Sequence, residues 1–516
     1  MKGKFNFLII AIIMFIMICS KGIYAKGLNE KLPIIRIDLN NDDNIDYYLQ
    51  AYSNTKDTKV ILKSKKVKEY KYMKESTYNF ELVKNKKSNG LIKVTLHRID
   101  ENCVFFIDYF PKEKNAKINL EIVSKDMTKN FKIKKAYKEG LNLKYKESKL
   151  SSEKIKNTSL FIKGEKSRKY IRLGKAYYYK PLGYSVFDKK EIDNILSIKR
   201  RKEDTFFQYE MPVKKGYGIR YEGILSIKPL INWENNLAYN TLKVMDLNDK
   251  KLFWEDGIYY PNMYNYLPRS EESFFKTPSA LQIRASYWAL NEGELFKSQG
   301  ISMMYSYASS FNNKNYIPTK PLSQWLYNDF QIGHNFYDTR FNTDTVISLM
   351  YYYQKYPDKL VLEKIDNYFE FYLKYLKKYK FKVDDSLYFI PDYMDFSKEK
   401  VSNHCSLNHL ISEMIALYKY YEITEDENIL KTAHFLRDTI INSYDKWIKP
   451  DGDLWYAVTN EGKFIKKDYP LVTYNDLKYA NSFLKSVDGF VAKEFKLLLN
   501  SKRNWAIKKG YIDRVK

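Results

Sequence analysis

Cysteine is almost missing from this chain, with three among 516 residues. Only Cys103 and Cys405 are left once an N-terminal leader is set aside, and they lie far apart in sequence. No disulfide framework can be built from them, and no zinc-ligand spacing occurs. Stability must therefore come from buried apolar surface, which a chain of this length can supply in two or three cores. Acidic residues are also short: 62 Asp and Glu stand against 88 Lys and Arg, a formal charge of +26. Such an excess attracts polyanions. The lysines are nevertheless scattered over the chain, as on solvated faces, and no nucleic-acid motif or basic tail accompanies them. The glycines of Gly216-Tyr-Gly-Ile-Arg-Tyr-Glu-Gly223 lack the strand-to-helix setting of a phosphate loop.

Long apolar runs are absent except for one, Phe5 to Cys19, preceded by Lys2 and Lys4 and followed by Ile23-Tyr-Ala25. The run is too short for a comfortable membrane span and ends on a small residue suited to cleavage. Residues 1–25 are expected to be a secretion signal, with the mature protein secreted or held at the cell surface. A retained, uncleaved membrane anchor is the alternative. Acylation of Cys19 is disfavoured by Ile18 before it, where a small residue would be expected. Losing Lys2, Lys4 and Lys21 and no acid lowers the charge from +26 to +23. Export argues against nucleic acid and leaves an acidic polysaccharide as the expected partner.

What is present divides by hydrophobic period. From residue 26 to about 150, short alternating runs are broken by turn residues: Ile34 to Leu39, Lys59 to Leu62, Leu91 to His97, Val104 to Tyr109 and Ile118 to Val123. They read as strands of a sandwich-like module. A Ser/Lys/Glu-rich connection, Lys146 to Lys156, leads to a second strand-like stretch, 151–240. After Leu242 the period becomes helical. Leu407, Leu410, Ile411, Met414, Leu417, Tyr418 and Tyr421 form one face of an amphipathic helix, and Thr424 with Glu427 reads as a capping box opening the next. Tyr353 precedes Asp358 as Tyr421 precedes Asp426, which predicts equivalent helix pairs 68 residues apart. The expected fold is therefore multi-domain β + α: β-rich N-terminal modules followed by a C-terminal (α/α) toroid over 241–516, an open α-solenoid being the other arrangement with that period.

The chemistry-bearing residues cluster in the last quarter. Asp392-Tyr393 precedes the helix around Leu407, then come Tyr456 and Asp468-Tyr469, a carboxylate and three tyrosines beside loops that punctuate the helices. Tyrosine suits proton transfer at carbon 5 of a uronic acid, because its hydroxyl can face either side of the ring without permanent charge. Two further groups are candidates for substrate binding. Asn408 and His409 form a pair able to polarise a uronate carboxylate, and Gly333-His-Asn-Phe-Tyr-Asp338 with Arg340 offers His334, Tyr337, Asp338 and Arg340. His404 and His409, read as sharing a helix, would lie about 140° apart and so not bind one metal. Arg220, Arg284 and Arg340 are the cations expected to lower a phenol's pKa or neutralise a substrate carboxylate.

Over roughly 120 residues of the C-terminal third, these motifs resemble the C-terminal domain of D-glucuronyl C5-epimerases. The family's acid-Tyr pair, its Leu-Asn…Leu-Tyr-x-Tyr helix, its loop tyrosine and its Asp-Tyr correspond to Asp392-Tyr393, Leu407-Asn408 through Leu417-Tyr418 and Tyr420, Tyr456, and Asp468-Tyr469 with Asn475 and Leu477. The resemblance implies that Tyr393 and Tyr469 are a facing base and acid, that Asp392 assists one of them, and that Tyr456 positions the sugar. Proton transfer through tyrosine needs no cofactor, and no metal ligand is assigned. The chain departs from the family in having Asp392 for glutamate, no basic residues after Tyr456, and Pro470 in place of histidine. Each departure bears on substrate recognition.

Other readings stand beside this one. With 48 tyrosines in the chain, any four in helical loops can be packing residues with a wet hydroxyl. A polysaccharide lyase would use the same Tyr and His residues. A hydrolase could draw on Trp233-Glu234, Trp254-Glu-Asp256 or Asp451-Gly-Asp453, although the last has the composition of a turn. A non-catalytic surface protein that binds polysaccharide is the third alternative, and a structural calcium held by loop carboxylates is left open.

Overall fold

A computed structural model describes residues 33–511 apart from 54, 56, 114–116, 128–130, 140–141, 149–153, 194, 248–250, 263–264, 280–291, 385–386 and 399–402. The expected signal segment and Arg284 lie outside the described residues. Two units are present, one within Met1–Tyr178 and Glu191–Leu230, the other within Tyr179–Lys190 and Ile231–Lys516.

The first unit is antiparallel β-structure. Each of the five runs singled out by alternation falls in a strand, and the strand Ile118–Ser124, buried along its whole length, lies between Tyr47–Tyr52 and Asp204–Met211. Gly218–Ser226 pairs with Asn102–Pro111, which in turn pairs with Lys87–Ile99. The stretches 26–150 and 151–240 thus contribute strands to the same sheets. The Lys146 to Lys156 connection carries strand ends on both sides, Asn142–Ser148 and Lys154–Lys156, since a Lys/Ser/Glu pattern marks an exposed strand as readily as a linker. Phe105, Ile107, Leu120, Ile122, Phe207 and Tyr221 share one core. Each such side chain contributes about 1.5–3 kcal/mol by leaving water.

The second unit contains nine helices among the described residues: α1 (Asn236–Leu247), α2 (Glu294–Ala308), α3 (Gln324–Phe330), α4 (Thr339–Lys355), α5 (Lys359–Tyr379), α6 (Leu407–Thr424), α7 (Glu427–Trp447), α8 (Val472–Val487) and α9 (Lys493–Lys508). Helix α4 packs on α2, α5 and α6; α6 packs on α7 and α8; α9 packs on α7 and α8. An inner row α2, α4, α6, α8 is thereby backed by α5, α7 and α9, the hairpin layering expected of an (α/α) array.

The predicted equivalence at 68 residues holds at the caps, where the carboxylates of Asp358 and Asp426 accept from Leu360 N and Asn428 N at the starts of α5 and α7. Two local expectations are corrected. Thr424 ends α6 rather than capping α7, and its hydroxyl donates back to the Tyr420 carbonyl. Helix α6 is not amphipathic, because Leu407 through Tyr420 are all buried, Asn408, His409, Ser412, Glu413 and Lys419 included. An inner helix has neighbours on every side, so its polar residues are enclosed instead of facing water.

Candidate active site

The loops that enter α4, α6 and α8 meet at the N-terminal ends of those helices. Tyr337–Asp338, just before α4, pairs with Tyr393–Met394, setting Asp338 opposite Tyr393. His404–Ser406, just before α6, pairs with Trp455–Thr459, which pairs with Phe464–Lys467. Tyr469 follows that last strand and precedes α8. Three short ladders thus hold Asp392, Tyr393, Tyr456 and Tyr469 together, although they are far apart in sequence. The phenols of Tyr393 and Tyr456 are close enough to perturb each other's ionisation. The Tyr456 ring meets that of Tyr469 edge-on at 5.6 Å. Tyr456 therefore has both Tyr393 and Tyr469 as neighbours.

Asp392 is fully buried. Its carboxylate accepts from the Ser406 backbone at 2.9 Å and the Ser406 hydroxyl at 2.6 Å, and both His404 and His409 approach it, at 3.4 and 3.6 Å. His404 is in the strand before α6, not in the helix; this change of backbone brings the two histidines onto one carboxylate despite their spacing. The other ring nitrogen of His409, Nε2, lies 3.5 Å from the Tyr393 hydroxyl, while Nδ1 lies 2.9 Å from Thr339 Oγ1. Asp392, His409 and Tyr393 form a continuous polar path ending at the paired phenols.

The electrostatics follow from burial. Desolvation lowers His409 to about 4, overriding the neighbouring Asp392, with Arg340 adding to the fall. The imidazole is therefore neutral near pH 7, with Nε2 able to accept a proton. Desolvation also pushes Asp338 up to about 8; its N-cap bond from Phe341 N opposes the rise, and the nearby Asp392 reinforces it. Glu413, bonded by the Tyr372 hydroxyl at 2.7 Å, is raised to about 8 for the same first reason. Tyr393 and Tyr456 are held well above the ordinary phenol range by desolvation, then by each other for Tyr393 and by Asp392 for Tyr456. Tyr469, 53% exposed, is raised by desolvation and by Asp468.

Asp468 itself faces away from this chemistry. One oxygen takes the Thr473 hydroxyl at 2.8 Å, and the other meets Lys502 Nζ at 2.7 Å. Lys502, wholly buried on α9, also pairs with Asp453 at 2.7 Å. This triad pins the turn before the Tyr456 strand and the loop carrying Tyr469. Asp451-Gly-Asp453 is a turn, Asp451 accepting from Asp453 N.

The substrate-binding candidates are dispersed. Arg220 belongs to the first unit, where its Nε donates to Asp108 at 3.1 Å. Arg340 is clamped by Asp476 at 2.8 and 2.9 Å and by Asp344, and donates to the Asn408 carbonyl. Asn408 and Arg340 thus meet each other, and Arg340 touches the phenol cluster only through its field. His334 stacks on Tyr184 at 3.7 Å and contacts the Lys320 carbonyl. Tyr337 is fully buried, its hydroxyl against that of Tyr368 at 3.1 Å, so it packs and does not line an opening.

Sequence reasoning overlooked His404 as a partner of Asp392, Glu413, and the ring of Trp325, which stands edge-on to Tyr393 and stacks on His404. Polar residues on the mostly apolar helix α6 were the available signal. Among the described residues no group of three or more His, Cys, Asp or Glu is arranged to hold a metal ion.

No protein-family model matches the chain, and no curated protein does. Solved structures to which it is similar include a cellobiose 2-epimerase from Bacillus thermoamylovorans, at 15% identity and a TM-score of 0.34, covering 45% of this chain and 61% of that one. A D-mannose isomerase aligns at 13% identity and a TM-score of 0.32, covering 43% of this chain and 56% of the other. A family 76 α-mannanase from Bacteroides thetaiotaomicron aligns at 16% identity and 0.39, over 54% and 72%. The chain thus spans less than two thirds of the first two. At this level of likeness no activity or residue role passes from them to this protein.

Proposed function

We propose that this protein removes and returns the proton at carbon 5 of uronic acid residues in an acidic polysaccharide outside the cell membrane, inverting that carbon. The observation that carries the reading is the path Asp392–His409–Tyr393 ending beside Tyr456 and Tyr469. A phenol held well above its usual range is a poor resting base. A neutral His409 can take the Tyr393 proton through Nε2 as Tyr393 takes the one on carbon 5, with Asp392 stabilising the imidazolium. No cofactor is needed for such a transfer.

The electron pair left on carbon 5 delocalises into the substrate carboxylate, whose growing charge must be met. The cations expected from the sequence are not at hand, because Arg340 is clamped by two aspartates. Two other features can serve. The site lies at the N-terminal ends of α4, α6 and α8, where helix dipoles are positive, and Asp338, protonated at neutral pH, can donate a hydrogen bond. Tyr469, at the exposed end of the phenol row, returns a proton from the other ring face, with Tyr456 holding the sugar between.

A lyase would share the proton removal and then expel the substituent on carbon 4. A two-carboxylate hydrolase is less well supported, since Asp392 is wholly enclosed and its oxygens are engaged by Ser406. Incubation in heavy water with uronate polymers tests the proposal. Deuterium at carbon 5 without cleavage, lost in Tyr393→Phe, supports epimerisation. Absorbance of unsaturated sugar assigns a lyase instead. Binding of a polymer with neither signal overturns both and leaves a binding protein or a hydrolase.

A further inference from the structure

Helix α6 turns one face toward both α4 and α8. Near its start the Asn408 carbonyl meets Arg340 of α4, which also reaches Asp476 of α8. One turn on, the Ser412 hydroxyl meets Thr343. Farther along the same stripe is Lys419, eleven residues beyond Asn408 and so about 16 Å up the helix axis. Its ammonium lies 4.5 Å from the centre of the Tyr351 ring on α4 and 4.8 Å from that of Phe483 on α8. The hydroxyls of Tyr351 and Tyr479 meet at 3.0 Å, and Tyr479 stacks on Phe483.

Lys419 is only 9% exposed, yet among the described residues no carboxylate pairs with it. Three other enclosed cations of this unit are handled differently. Arg340 has Asp344 and Asp476, Lys502 has Asp453 and Asp468, and Arg437 has Asp488. A cation drawn out of water without a counter-charge is costly, and ring faces compensate only in part. Beside it Tyr479 is 42% exposed, and Tyr469 and Val472, at 53% and 41%, continue an open apolar rim along α8 toward the phenol cluster.

We propose that Lys419, with Tyr351, Tyr479 and Phe483 around it, binds an anionic group, a carboxylate or sulfate, on a sugar unit of an extended acidic saccharide, several units away from the reacting one. Tyr479 supplies the exposed ring on which that unit stacks. That the anion belongs to a saccharide rests on the function proposed above; the anion site itself does not.

Calorimetric titration of the full chain tests this with three probes: a uronate hexasaccharide, its carboxyl-reduced counterpart, and inorganic sulfate as a competitor. Lys419→Gln is expected to weaken hexasaccharide binding about tenfold or more, and Lys419→Arg to stay within about threefold, because the arginine keeps the charge. Carboxyl reduction should weaken wild type at least as much as Lys419→Gln does, and weaken that variant by a smaller factor. Equal hexasaccharide binding by wild type and Lys419→Gln, with matching thermal transitions, overturns the site. So does failure of the protein to bind either hexasaccharide or sulfate. Sulfate binding that depends on Lys419 while both hexasaccharides bind alike overturns the saccharide assignment. Absence of proton exchange at carbon 5 together with Lys419-dependent binding of the hexasaccharide removes the proposed reaction and leaves this site standing.

Discussion

In the β-rich unit, two enclosed cations meet opposite charge. Arg172 and Glu222, 4% and 8% exposed, are joined at 2.7 and 2.8 Å, and Lys169 reaches Asp46 at 3.4 Å. In the helical unit, Asp338, Asp392 and Glu413 crowd around a neutral histidine and two neighbouring phenols, and the enclosed Arg340 is already clamped by Asp344 and Asp476. Pairing makes an ion a structural element, whereas like charges enclosed together push pKa values away from their ordinary ranges. Such perturbed, unpaired groups are what proton-transfer sites require. What marks Tyr393 out from buried, hydrogen-bonded tyrosines such as Tyr337 and Tyr368 is the neutral His409 beside its hydroxyl.

The contrast can be broken by removing one group at a time. Tyr393→Phe should cut carbon-5 exchange by about 10²–10⁴-fold while leaving the thermal transition in place, as for loss of a general base. His409→Gln should fall in the same range if the imidazole drives Tyr393. Lys502→Met, measured by denaturant unfolding, should cost about 3–5 kcal/mol, because Asp453 and Asp468 would be left buried without their cation. Arg172→Met should cost a similar or smaller amount in the other unit, with exchange unaffected.

The pH dependence sharpens the comparison further. Asp338 and Glu413 have folded values near 8, above their unfolded ones. Their contribution to stability is complete below the unfolded carboxyl range and is lost as pH rises toward and through 8. Thermal melts should fall by a few degrees between pH 6 and 9, and less in an Asp338→Asn, Glu413→Gln double variant. His409 lies near 4, below its unfolded value, so its contribution is present at neutral pH and is lost as pH falls from about 6.5 through 4. The exchange rate should therefore hold down to about pH 4 on the acid side and decline near 8 if Asp338 must carry its proton. The smallest effect is expected for Lys446→Ala, which removes a half-exposed pair with Asp384 worth less than about 1 kcal/mol.

Period and punctuation determined much of this protein from sequence alone. Alternation located the strands around Val104 and Ile118, and the repeat of Tyr353/Asp358 in Tyr421/Asp426 marked equivalent helix pairs, because these are properties of neighbouring residues. The ordered set Asp392, Tyr393, Tyr456 and Tyr469 was also legible as loop residues before helices. What the sequence could not decide was which polar groups those residues would meet. Pairing of Asp338 with Tyr393, of His404 with Thr459, and the approach of two histidines to one carboxylate are long-range contacts. A clamped Arg340 and an enclosed Lys419 look alike as letters in a chain. Only the tertiary structure sets them apart, since a side chain's pKa and its freedom to bind depend on burial and on neighbours that folding brings from distant positions.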